Sequence, residues 1–136
     1  MDNIDPELWI LVHGGDCEAI ANDESTPGFV LEWLATDNPI DMLLRVATNT
    51  SAPPATLEKL AKTEDEYRDV RCRVAENPNT PTSTLQKLAG DKGWWVARMV
   101  AFHPNTPIST LQKLAGHENG EVRQAAEAAL RERQDA

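Results

Sequence analysis

An all-α fold of short paired helices is predicted for this chain, and three observations predict it. A block of 26 to 28 residues recurs along the 136-residue sequence. Within each block two leucines lie three apart, which sets both on one face of a helix. No segment alternates apolar and polar residues with period two, so no sheet is expected. Recurrence at this period is the mark of stacked helical repeats, whose units hide their apolar sides only against one another.

The clearest block reads Val74-Ala75-Glu76-Asn77-Pro78-Asn79-Thr80-Pro81, then Thr84-Leu85-Gln86-Lys87-Leu88-Ala89-Gly90. It returns 26 residues later as Val100-Ala101-Phe102-His103-Pro104-Asn105-Thr106-Pro107, then Thr110-Leu111-Gln112-Lys113-Leu114-Ala115-Gly116. An earlier copy holds Val46-Ala47-Thr48-Asn49 and Thr56-Leu57-Glu58-Lys59-Leu60-Ala61, and the first holds Ile20-Ala21-Asn22-Asp23 and Leu31-Glu32-Trp33-Leu34-Ala35. A two-residue expansion falls in 63–69, where a loop can absorb it.

At the N-terminus Asp5-Pro6 reads as N-cap and first turn of a helix through Glu7-Leu8-Trp9-Ile10-Leu11-Val12. His13-Gly14-Gly15-Asp16 reads as a turn. In each block Thr26, Thr80 or Thr106 is expected to cap a first helix with its hydroxyl. The proline after it is expected at the first helical position, and Gly90 and Gly116 are expected to end their helices. A second helix carries Val70/Val74, Val96/Val100 and Val122/Ala126, four apart. The final helix, 121–132, thickens its polar face with Arg123, Gln124, Glu127, Arg131 and Glu132, as a terminal cap should. Residues 1–15 are thus a capping segment, 16–132 one repeat domain and 133–136 a tail.

The string Val-Ala-x-Asn-Pro-x-Thr-Pro-x-x-x-Leu-x-x-Leu-Ala, with Val-Arg ahead of it at Val70-Arg71 and Val122-Arg123, resembles the leucine-rich repeat variant family. The resemblance spans residues 16–132 and is most specific at 74–89 and 100–115. It implies a bacterial protein folded as a right-handed α-solenoid of about four units plus caps, α-helices alternating with α- or 3₁₀-helices. It implies no shared enzymatic activity. One family member carries an iron–sulfur cluster on N-terminal cysteines. Such clusters usually take four thiolates, and this chain has only Cys17 and Cys72, so no cofactor is expected.

Net charge is −9, and it is uneven. Residues 1–69 hold 15 Asp and Glu against 4 Lys and Arg, while residues 70–136 hold 7 against 9. The acidic half would repel nucleic acid and anionic lipid and attract a basic segment of a protein partner. Nucleic-acid binding is the runner-up reading and would need Arg71, Arg73, Arg98, Arg123, Arg131 and Arg133 in one stripe. The acidic start lacks the basic region of a secretory signal, and no apolar run is long enough to cross a membrane; a cytoplasmic protein is expected.

No constellation of catalytic or metal-ligating groups converges. His103 occupies the slot of Asn77, Asn49 and Asp23, where bonding to corner backbone is expected of it. Cys72 lies between Arg71 and Arg73, which could lower its pKa, but it reads as a structural thiol. Comparison between blocks is more informative. Trp94 and Trp95 align with Arg68 and Asp69, Met99 with Arg73 and Arg45, and Phe102 with Glu76, Thr48 and Asn22. Apolar residues in slots that are otherwise polar suggest a binding patch, or a tryptophan packed into the core beside one lying over its neighbour. Phe29 and Trp33, four apart, likewise replace small residues and lysines. The segment containing Trp9 is expected to cover them; left bare, they become a partner contact.

Overall fold

Residues 4–134 are described by a computed structural model, which holds ten α-helices, one 3₁₀ turn and, among those residues, no strand. They run α1 (Pro6–Val12), α2 (Cys17–Asn22), α3 (Gly28–Leu34), α4 (Ile40–Thr48), α5 (Pro54–Leu60), the 3₁₀ turn (Asp65–Tyr67), α6 (Arg68–Glu76), α7 (Thr82–Leu88), α8 (Trp94–Phe102), α9 (Ile108–Leu114) and α10 (Gly120–Gln134). Helices α4, α6, α8 and α10 begin 28, 26 and 26 residues apart, and α3, α5, α7 and α9 begin 26, 28 and 26 apart. Both helices of a block are therefore α-helical, and the single 3₁₀ turn sits in the two-residue expansion.

The core follows the predicted stripes. Leu31/Leu34, Leu57/Leu60, Leu85/Leu88 and Leu111/Leu114 are buried, as are Val70/Val74, Val96/Val100 and Val122/Ala126. Each fully buried valine or leucine contributes roughly 1.5–3 kcal/mol. Helices α2, α4, α6, α8 and α10 pack side by side in that order, and each odd-numbered helix from α3 to α9 packs against the even-numbered helix that follows it.

Helix starts differ from expectation. Pro27, Pro53, Pro81 and Pro107 are the N-caps themselves, in extended backbone, with no side-chain cap bond. Before Pro27, Pro81 and Pro107 stands a threonine that faces backward, whereas Ala52 precedes Pro53. Thr26 Oγ1 donates to the Ile20 carbonyl at 2.6 Å, Thr80 to Val74 at 2.5 Å and Thr106 to Val100 at 2.6 Å. A buried hydroxyl beside the end of the previous helix satisfies an orphan carbonyl there, which outweighs a solvent-side N-cap bond. Helices α7 and α9 end at Leu88 and Leu114 with Ala89 and Ala115 as C-caps, so Gly90 and Gly116 follow the cap as expected, but neither is left-handed; among the described residues the positive-φ glycines are Gly14 and Gly15, in the turn after α1.

Between the paired helices runs a buried hydrogen-bond ladder. Asn49 Nδ2 donates to the carbonyls of Ala21 (2.8 Å) and Asp23 (3.0 Å), and Asn77 Nδ2 to those of Ala47 (2.7 Å) and Asn49 (2.9 Å). Their Oδ1 atoms accept the backbone N–H two residues on, from Ser51 and Asn79. His103 is the next rung. Its Nδ1 accepts the Asn105 N–H at 3.0 Å, so the ring proton lies on Nε2, 2.7 Å from the Asn77 carbonyl. An outer rail runs parallel, from Ser51 Oγ to Glu24, Asn79 Nδ2 to Thr50 and Asn105 Nδ2 to Pro78.

The ladder has distinct ends. Asp23 holds the first slot and accepts only, from the N–H and hydroxyl of Ser25, which keep its carboxyl below the usual range. Arg133 closes the other end. It belongs to α10 rather than to a tail, and its guanidinium donates to the carbonyls of His103, Pro104 and Thr106. The last two residues of the expected tail, 135–136, lie outside the described residues, as do the first three of the expected cap.

Arg71 is the most buried charge, 6% exposed. It pairs with Asp91 at 2.6 Å and donates to the carbonyls of Thr63 and Glu64, pinning the expanded loop. Arg123 does the same for the carbonyls of His117 and Glu118.

Two consequences can be measured by urea unfolding. Asn77→Ala should lose about 2–4 kcal/mol, because two buried carbonyls lose their donor, whereas His103→Asn should stay within about 1 kcal/mol of the parent. Thr56 and Thr84 have buried hydroxyls without a partner, in a slot that holds Val30 in the first block. Thr84→Val should therefore gain about 1 kcal/mol; a loss would show that the hydroxyl is satisfied after all.

Candidate functional site

The outward face of α8 follows from helix geometry. Val96, Ala97, Val100 and Ala101 occupy the buried side, so Trp94, Trp95, Arg98, Met99 and Phe102 share the other. The matching positions on α6 are Arg68, Asp69, Cys72, Arg73 and Glu76, and on α10 they are Gly120, Glu121, Gln124, Ala125 and Ala128. Helix α8 thus sets large apolar side chains beside a mainly charged face on α6 and a face of small and polar residues on α10.

The four predicted patch residues lie on this one face but are unequally free. Phe102 is 55% exposed, with the Arg98 guanidinium 5.0 Å above its ring. It borders a shallow hollow shared with Glu121 and Gln124 of α10. Trp95 is half-buried. Its indole folds back over Gly93, where a Cβ would sit 3.0 Å from the ring, and Arg68 covers it at 5.1 Å. Trp94 meets Trp95 edge to face at 5.7 Å and is half-buried, as is Met99. Both tryptophans and Met99 pack against the core while keeping an outer edge in solvent.

The N-terminal cap covers less than expected. Asp5 caps α1 as predicted, accepting from the Glu7 N–H, and Ile10 is buried. Trp9 stacks on His13 at 3.8 Å. Helix α1 packs against α3, yet Phe29 and Trp33 each remain 37% exposed, and Leu8, Leu11 and Val12 point outward, Leu11 with 72% of its surface in water. This second apolar face lies in the acidic half. The spacing Leu8, Leu11, Val12, all on one side of a helix, was its readable signal.

The arginines do not assemble a free stripe. Arg71 is buried, Arg73 pairs with Glu76 at 3.1 Å, Arg98 lies on Phe102, and Arg123 and Arg133 hold backbone carbonyls. Cys72 agrees with the structural-thiol reading rather than with a lowered pKa. Burial pushes its thiol up, Glu76 adds to the rise, and Arg73 offsets only part of it. Arg71 points away into its own ion pair. Cys17 and Cys72 are both free and half-buried, and no group of three or more metal-ligating side chains forms among the described residues, so these residues do not fit an iron–sulfur cluster.

A cleft of about 500 Å³ opens between α7 and α9, lined in part by Gln86, Lys113 and His117. No motif in the sequence marks it; only a block-by-block comparison of its lining would. No described helix is long and apolar enough to cross a membrane. No family model, curated protein or solved structure matches the chain.

A raised thiol pKa makes Cys72 a weak nucleophile at neutral pH, because the thiolate is the reacting form. In a Cys17→Ser variant, iodoacetamide should alkylate Cys72 more slowly than a free cysteine peptide at pH 8, with the rate still climbing above pH 9. Faster labelling than the peptide would mean that the neighbouring arginines prevail.

Proposed function

We propose that this protein is a non-enzymatic binding module that recognises a protein or peptide on a solenoid surface. In this reading the helices form a right-handed α-solenoid of about four 26- to 28-residue units with terminal caps, of the leucine-rich repeat variant type without its cluster, acting in the cytoplasm. The repeated corner bonds and the even spacing of helix starts support the solenoid. Absence of a cofactor-ready or catalytic constellation in the sequence supports binding rather than catalysis.

The observation that carries the reading is the outward face of α8. A stacked array gains nothing internally from an exposed phenylalanine where its other blocks place Glu76, Thr48 and Asn22. Phe102, with the outer edges of Trp94, Trp95 and Met99, forms an anchor of the kind that dominates interface energetics. The acidic first half favours a partner with a basic segment, which would speed encounter and set orientation. Nucleic acid fits less well, since five of the six arginines it would need are already engaged in the fold.

Peptides selected from a displayed random library against the full chain provide the test. Phe102→Glu should weaken the selected peptides about tenfold or more, with the melting temperature unchanged because the side chain is mainly in solvent. Equal binding by the variant would remove α8 as the site.

A further inference from the structure

Eight large apolar side chains stand exposed among the described residues, and six of them fall within residues 4–33: Ile4, Leu8, Leu11, Val12, Phe29 and Trp33. Leu8, Leu11 and Val12 share the outer side of α1, opposite the buried Ile10. Phe29 and Trp33 share one side of α3, the helix against which α1 packs. The two apolar rows therefore lie on neighbouring helices. The corresponding helices of the other blocks are built differently. The slot of Phe29 holds Ala55, Ser83 and Ser109, and that of Trp33 holds Lys59, Lys87 and Lys113. Trp33 thus adds apolar area and removes a cation in one step.

Charge in this part of the chain has a single sign. Residues 1–44 hold ten Asp and Glu and no Lys or Arg. Among the described residues only Glu18 of this stretch meets a cation, Arg45 at 3.5 Å. Asp5 and Glu7 are exposed at the start of α1, and Glu32 is exposed beside Trp33 on α3. A hollow of about 350 Å³ opens beside Trp9 and His13, with Asp16 and Asp23 on its lining. Val12 is three residues from Trp9, so the hollow borders the outer row of α1. Asp16 and Asp23 each use Oδ1 on donors of their own turn, and the other oxygen of each accepts nothing among the described residues.

This charge selects the occupant. A second copy would bring ten more acids to the surface, and an anionic membrane would add its own negative charge; both are opposed. A cationic partner is attracted, and its apolar side has two rows to meet. A helix fits best, because it satisfies its own backbone groups and presents only side chains, and no strand edge exists among the described residues to pair with an extended segment.

We propose that α1 and α3 form the docking surface for a basic amphipathic helix of a partner protein. Its apolar stripe lies on Leu8, Leu11, Val12, Phe29 and Trp33, and its lysines or arginines meet the surrounding carboxylates. The proposal rests on the binding-module reading but uses no residue of α8.

The test follows backbone amide shifts of the full chain by NMR during titration with three synthetic helical peptides of about five turns. The first sets leucines on one face and lysines on the other. The second scatters the same residues around the helix, and the third replaces every lysine of the first by glutamate. The first should bind at least about tenfold more tightly than the others, shift residues of α1 and α3, and weaken as salt is raised. Leu11→Ser should weaken it about tenfold with an unchanged melting temperature, since that side chain is mainly in water. A variant carrying Phe29→Ser and Trp33→Lys restores the residues of the later blocks and should weaken it as much. Equal binding of the scattered or glutamate peptide, or undiminished binding by both variants, would overturn the proposal. Shifts confined to α8 would overturn it while leaving the α8 reading in place. A dimer of the free chain that Leu11→Ser dissociates would make a second copy the occupant and overturn it too.

Discussion

Helices of two turns leave most of their end groups without intrahelical partners, and here those ends are stacked on one another away from water. Each corner between a second helix and the next first helix must satisfy several buried carbonyls at once. The asparagine slot does this with an economy no apolar residue could match: one amide donates twice to the preceding corner and accepts once from its own. The threonine clip takes another carbonyl at the same corner. Proline can then stand at the head of the following helix, because neither its missing N–H nor a capping side chain is needed there. Leucine and valine supply the driving force for association, but they are non-directional. The corner bonds fix which backbone atoms meet, and so the spacing of one block against the next.

Much of this was legible in the residues. Leucines three apart and valines four apart marked the buried stripes, because those spacings have one geometric meaning on a helix. The shared slot of Asp23, Asn49, Asn77 and His103 marked the corners for the same reason. Direction was not legible. A threonine before a proline satisfies the same pattern whether it caps the helix ahead or clips the helix behind, and only the burial of that hydroxyl decides between them. The arginines beside Cys72 illustrate the same limit: adjacency to Arg71 in sequence says nothing about a guanidinium that turns inward to Asp91. The face of α8 was readable as an anomaly, but its division into a free Phe102 and half-buried tryptophans depended on Gly93 leaving room for an indole.

Repetition also makes surface chemistry interpretable. In an ordinary domain an exposed phenylalanine or a lone lysine has no reference against which to be judged. Here each position has three counterparts in nearly the same backbone setting, so a departure isolates what that position has been released from or recruited to. On α8 the departure adds apolar area to an otherwise polar row. Between α7 and α9 two acids go together with two cations, Gln86, His117, Gly90 and Ala97 standing for Glu58, Asp91, Lys62 and Arg71. Together the two changes make the C-terminal half chemically distinct from the acidic first half.

The residues at the two extremes of the corner ladder give it a sense of direction. An aspartate can receive but not give, so Asp23 has nothing to offer a corner upstream of it. A guanidinium can give but not receive, so Arg133 occupies the carbonyls that a further block would have used. Only the interior rungs do both. A further block placed after Arg133 would first have to displace that guanidinium from the carbonyls of His103, Pro104 and Thr106.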